Sequence, residues 1–141
     1  MKKIMGFLAL VVISTGAALY FELIPTTPTC CAMEAEDEIG GLISPVAYQT
    51  EFEERTHLLL DVRTPPEFYE GYISGALNIP LQELPNRLSE LPQDQPIVIY
   101  CRSGNRSAEA WRILRNAGYR LIYDMGGIID WTSQGFPVER S

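Results

Sequence analysis

A single cysteine, Cys101, closes the apolar run Pro96-Ile97-Val98-Ile99-Tyr100 and opens the stretch Arg102-Ser103-Gly104-Asn105-Arg106-Ser107. A cysteine buried for packing alone has no use for such neighbours. A nucleophilic sulfur does, because small residues leading into a helix let backbone N–H groups converge on one concavity, with the positive end of the helix dipole behind them. Gly104 allows the backbone to turn where a side chain would obstruct it. Arg102, Ser103, Asn105, Arg106 and Ser107 add side-chain donors. Negative charge on the Cys101 sulfur is therefore favoured, and the cysteine is the candidate nucleophile. No histidine lies nearby in sequence to act as a base, so the loop itself must provide the activation.

Positioning such a loop requires a strand before it and a helix after it. Pro96–Tyr100 reads as the strand and Ser107–Ala117 as the helix, ended by Gly118. Upstream, Pro45–Glu54 suits a short helix, and Leu58-Leu59-Leu60-Asp61-Val62 is a compact strand of the kind covered on both faces. Thr64-Pro65-Pro66-Glu67 gives a helix start, with threonine as cap, proline at the first position and glutamate three residues after the cap. Ala76–Ile79 reads as a strand, and Leu81–Leu91 as a helix with Leu81, Leu84, Leu88 and Leu91 on one face. Leu121–Asp124 is the last strand, followed by Gly126-Gly127 and a short helix around Trp131. Alternating strands and helices with short connections predict an α/β fold: a single doubly wound domain, with a parallel sheet and helices on both faces. Its site belongs at the carboxyl ends of the strands. Asp61 and Cys101 both stand there and are expected to face one crevice.

The remaining sequence bounds the setting. The chain has 141 residues and a net charge of -7, which argues against nucleic acid or anionic lipid as a partner. Both lysines, Lys2 and Lys3, precede the apolar run Ile4–Phe21. Residues 1–24 therefore read as a signal peptide, with Thr15-Gly16-Ala17 as cleavage site, or as an N-terminal membrane anchor at the lower limit of the roughly 17–25 residues that span a bilayer. Either way the expectation is export: a domain outside the cytoplasm, periplasmic or attached to the membrane facing out. Lipoprotein processing fits less well, because Pro-Thr-Thr-Pro-Thr precedes Cys30. Residues 25–41 read as an acidic, Pro/Thr-rich linker containing Cys30 and Cys31, and residues 42–141 as the folded domain. The sole histidine, His57, is expected at the surface, and no metal-ligand spacing is present.

Four stretches in order resemble the rhodanese-like single-domain sulfurtransferases. They are Leu60-Asp61-Val62-Arg63 with Glu67-Phe68; Gly71-Tyr72-Ile73-Ser74-Gly75-Ala76-Leu77-Asn78-Ile79-Pro80; the Cys101–Ser107 loop; and Gly126-Gly127 with Trp131 and Gly135-Phe136-Pro137. The resemblance covers about residues 43–140. Tyr72 departs from it, since relatives commonly carry histidine there. The resemblance implies a rhodanese-type thiosulfate sulfurtransferase. Cys101 would take up a sulfane sulfur as a persulfide, and the residues from Arg102 to Ser107 would bind the anionic donor. A thiol, cyanide or a protein would accept the sulfur, with no metal and no organic cofactor. Asp61 and Arg63 would support the site, against local roles as a strand-end cap and an Arg63–Glu67 ion pair. Two other readings remain: a persulfide carrier or partner-binding module without turnover, and a phosphatase or arsenate reductase. The last group resembles this loop but places its arginine one position further from the cysteine. The tighter loop here is expected to admit a sulfur atom rather than an oxyanion centre, with Arg106 directed outward from the helix start.

Overall fold

The computed structural model describes residues 40–52 and 54–140. The expected signal or anchor segment, most of the expected linker, and Cys30 and Cys31 lie outside them. The elements are α1 (Pro45–Phe52), β1 (Leu58–Asp61), α2 (Pro65–Glu70), β2 (Leu77–Asn78), two 3-10 turns (Leu84–Asn86 and Leu88–Glu90), β3 (Ile97–Cys101), α3 (Asn105–Asn116), β4 (Ile122–Gly127) and α4 (Ile128–Ser133). The four strands form one parallel sheet in the order β2-β1-β3-β4, as the alternation of strand and helix predicts. Among the described residues no helix is long and apolar enough to cross a membrane.

Pleating of β3 sorts the core into two layers. Ile97, Ile99 and Cys101 point to one face, where Leu60, Val62, Ile79, Leu84, Ala110 and Leu114 join them under α3 and the 3-10 turns. Val98 and Tyr100 point to the other, with Leu59, Phe52, Ile128 and Trp131 under α1 and α4. Every residue of β3 is buried, which explains a strand with no polar alternation. Tyr48 and Phe52 of α1 stack at 5.9 Å, and the ring of His57 packs edge-on against both. Its Nε2 pairs with the Tyr48 hydroxyl at 2.9 Å and its Nδ1 with the Arg55 carbonyl at 2.7 Å. His57 thus lies at the edge of this aromatic cluster, half-buried, with its Nδ1 contact exposed. Burial pushes the Tyr48 phenol up to about 12.

The expected helix over Leu81–Leu91 is also corrected. Pro85 lacks the N–H an α-helix needs there, and its ring opposes the carbonyl one turn back. The chain instead makes successive three-residue turns, with Asn86 N–H donating to Glu83 O, Arg87 to Leu84, Glu90 to Arg87 and Leu91 to Leu88. The leucine face survives the change: Leu84 and Leu91 are buried, and Leu81 and Leu88 pack against the same core layer. Tyr72, the departure from the family pattern, stacks on Phe68 at 4.3 Å.

Candidate active site

Cys101 ends β3, its sulfur at the floor of the loop and the residue only 1% exposed. Gly104, with φ of 100°, swings the backbone back so that its N–H donates to Cys101 Sγ at 3.0 Å. The left-handed conformation costs glycine little and other residues more. Helix α3 starts at the next residue, two positions earlier than the sequence pattern indicates. The N–H groups of its first turn, from Asn105, Arg106 and Ser107, have no acceptor within the helix. Hydrogen bond and helix start together place a backbone donor and the positive end of a helix dipole at the sulfur. Ser107 is fully buried, its hydroxyl donating to Gly104 O at 2.9 Å with Gly126 O at 3.3 Å, and its oxygen lies 3.8 Å from Sγ. It ties the two ends of the loop together and to β4.

The loop has a brace that the sequence pattern leaves implicit. Cys101 pairs with Gly127 across the β3–β4 ladder, and a Cβ at Gly127 would lie 2.5 Å from Arg102 O and 2.8 Å from Ser103 Cα. Only glycine permits this approach. Ile129 N–H then donates to Arg102 O at 3.3 Å, so the start of α4 supports the loop from beneath. Arg102, Ser103 and Asn105 are exposed at the rim, and among the described residues the Arg102 side chain makes no ion pair.

Asp61 and Arg63 form a separate unit. Asp61 pairs with Tyr100 in the β1–β3 register, so it stands at the same end of the sheet as Cys101. Its side chain follows Leu59 and Tyr100 to the opposite face, however. The two side chains thus leave opposite faces of the sheet at its carboxyl end, and both act on the Arg106 guanidinium. Asp61 is fully buried and accepts from Arg63 Nε and Nη2 and from its backbone N–H, at 2.6–3.0 Å. Arg63 spends its other donors on Glu67 O at 3.0 Å and Gly71 O at 2.8 Å. Burial lowers the basicity of this guanidinium, and the Asp61 carboxylate more than offsets it, leaving the net shift upward. Arg63 is thereby a pin between β1 and α2.

The expected Arg63–Glu67 side-chain pair does not form. Glu67 instead takes Arg106: Nη1 to Oε2 and Nη2 to Oε1, both 2.7 Å. Glu67 Oε2 also accepts from the Thr64 N–H at 3.0 Å and the Thr64 hydroxyl at 2.8 Å. The Arg106 hydrogen bonds hold the Glu67 carboxyl far below the usual carboxylate range, and the same bonds raise Arg106. Arg106 is thus engaged by a carboxylate through both outer nitrogens, and the Cys101 sulfur is among the charges that act on it. Glu67 is the site neighbour that sequence reasoning assigned elsewhere; its partner is 39 residues away, and no local spacing signals the pair.

A parallel α/β domain with its only described cysteine on an amide-lined loop between strand and helix defines a class of sulfur and phosphorus chemistry. Within it, the rhodanese-like domain family model matches residues 44–134, and the chain belongs to that family. It is 46% identical over 82 residues to a sulfurtransferase of Allochromatium vinosum, a match spanning 57% of this chain and 77% of that protein. It is 34% identical over 73 residues to the thiosulfate sulfurtransferase PspE of Escherichia coli, spanning 50% of this chain and 70% of PspE. The crystal structure of a rhodanese-related protein from Thermoplasma volcanium superposes with a TM-score of 0.64 at 32% identity, covering 70% of this chain and 97% of that one.

Proposed function

We propose that this chain is a sulfurtransferase working through a persulfide on Cys101, with thiosulfate or a similar anion as donor. Family membership and the sulfurtransferase relatives support sulfur transfer as the general activity. The observation that carries the finer reading is the Gly104 N–H set 3.0 Å from Cys101 Sγ at the start of α3. The Cys101 thiolate attacks the sulfane sulfur of thiosulfate. A new S–S bond forms, the donor's S–S bond breaks, and sulfite leaves with the electron pair. The outer persulfide sulfur then carries the negative charge, next to the unpaired N–H groups of the first turn of α3. Attack on that sulfur by cyanide or a thiolate moves it to the acceptor and returns the Cys101 thiolate. Arg102 at the rim is the cation left to attract the donor, since Arg106 is held by Glu67.

Intact mass after incubation with thiosulfate tests this. The expected result is one added sulfur atom, retained when Cys30 and Cys31 are both changed to serine and lost in Cys101→Ser. An unchanged mass, or a gain that survives Cys101→Ser, would overturn the assignment.

We infer from Lys2-Lys3 and the Ile4–Phe21 run that the domain acts outside the cytoplasm, released or tethered. A reporter that functions only after export, fused after Ser141, is expected to be active in the cell. An inactive export reporter beside an active cytoplasmic one would reverse the inference.

A further inference from the structure

Arg106, the second arginine of the Cys101 loop, is occupied. Both outer nitrogens of Arg106 meet separate oxygens of one carboxylate, the bidentate geometry in which guanidinium binds anions best. Glu67 cannot readily swing aside, because Thr64 grips the same carboxylate through its N–H and its hydroxyl. The pair is partly open to solvent, with side chains 29% and 25% exposed, and Arg106 lies close enough to Cys101 for the sulfur's charge to act on it. Glu67 also lines a cleft of about 190 Å3 between α2 and α4, with Arg63, Gly71 and Ile128 among its walls. An anion approaching Cys101 therefore meets a neutralised fork on this side and finds Arg102 free at the rim.

We propose that Glu67 sets the anion selectivity of access to Cys101, by occupying the donors of Arg106 and cancelling its charge. An oxyanion that would otherwise dock on Arg106 (phosphate, sulfate or the sulfonate end of thiosulfate) is disfavoured relative to a sulfur donor of lower charge, such as an organic persulfide. As a statement about sulfur donors this rests on the reading above. As a statement about charge at the mouth it does not, and it is testable without turnover.

The test uses the full chain with Cys30 and Cys31 replaced by serine, and compares alkylation of Cys101 by iodoacetate, an anion, and by iodoacetamide, its neutral counterpart. The ratio of the two rates removes the reactivity of the thiolate itself and leaves the preference for negative charge. Glu67→Gln frees a charged fork and is expected to raise the ratio roughly five- to tenfold, the effect of about one unmasked charge at a partly exposed site. Arg106→Gln leaves Glu67 unpaired at the mouth and is expected to lower it. The second variant keeps the Thr64–Glu67 contacts, so it carries the test even if Glu67→Gln folds poorly. A ratio that moves less than twofold in the folded variants, or in the same direction in both, would overturn the proposal. A chain that transfers no sulfur but shows these opposite shifts would refute the function and leave this inference standing.

Discussion

Two carboxylate–arginine pairs stand at the carboxyl end of this sheet, and they are built to opposite specifications. Asp61–Arg63 joins residues two apart, with side chains 0% and 6% exposed. Glu67–Arg106 joins residues 39 apart, with side chains 25% and 29% exposed. In the first, the arginine reaches past its carboxylate to two backbone carbonyls of α2 and the turn after it. In the second, the arginine gives both outer nitrogens to the carboxylate alone. Depth decides what each can do. A buried pair is costly to break because the surviving charge has nowhere to go. A pair at the surface contributes little to stability, because water solvates the surviving charge when one partner is removed. Burial suits the first to holding the site's frame, and partial exposure leaves the second able to act on charge at the surface, the role proposed for it above.

The sharpest way to break that contrast is Arg63→Met. It leaves the Asp61 carboxylate fully buried with its donors cut to the backbone N–H of residue 63 and the Tyr100 hydroxyl, and it strips Glu67 O and Gly71 O of theirs. A loss of about 3–5 kcal/mol is expected, which for a domain of this size lowers the melting temperature by more than about 12 °C. Adding Asp61→Asn is expected to recover part of the loss, because the stranded charge is the main cost. A melting temperature within a few degrees of the parent protein would show that Asp61–Arg63 is no frame at all.

Why one pair was assigned wrongly from sequence is instructive. The spacing Arg63–Glu67 imitates a helical pair one turn apart, but that rule needs both residues inside a helix. Arg63 precedes the Thr64 cap, so its side chain leaves in another direction, back to Asp61. The fold itself was readable, because β3 is an unbroken apolar run and the Thr64-Pro65-Pro66-Glu67 signal acts within a few residues. The Cys101 loop was readable for the same reason: Gly104, the helix start and the cysteine are sequence neighbours. What sequence could not supply was set by distant contacts. Glu67 meets Arg106 only because β1 and β3 are adjacent in the sheet. The need for glycine at position 127 comes from a backbone approach to Arg102 and Ser103. The 3-10 turns at Leu84 and Leu88 were within reach, since Pro85 breaks the helical pattern that the four leucines imitate.

The smaller effect is the stability change in Glu67→Gln, and its pH dependence sharpens the comparison most. Arg106 depresses the Glu67 carboxyl in the folded protein, whereas in the unfolded chain it returns to about 4.5, its ordinary value. The unfolded state then binds the proton more readily than the folded one, so the pair's contribution is complete above that pH and declines as pH falls further. For a pair this exposed the contribution is about 1 kcal/mol or less. The difference in unfolding free energy between parent and Glu67→Gln is thus expected to be flat from pH 7 to about 5, to shrink below about pH 4.5, and to be reduced by added salt. Denaturant titrations across that range, at low and high salt, check it. A difference near 3–5 kcal/mol and insensitive to salt would mean that this pair is structural like Asp61–Arg63, and the division of labour between frame and entrance would collapse.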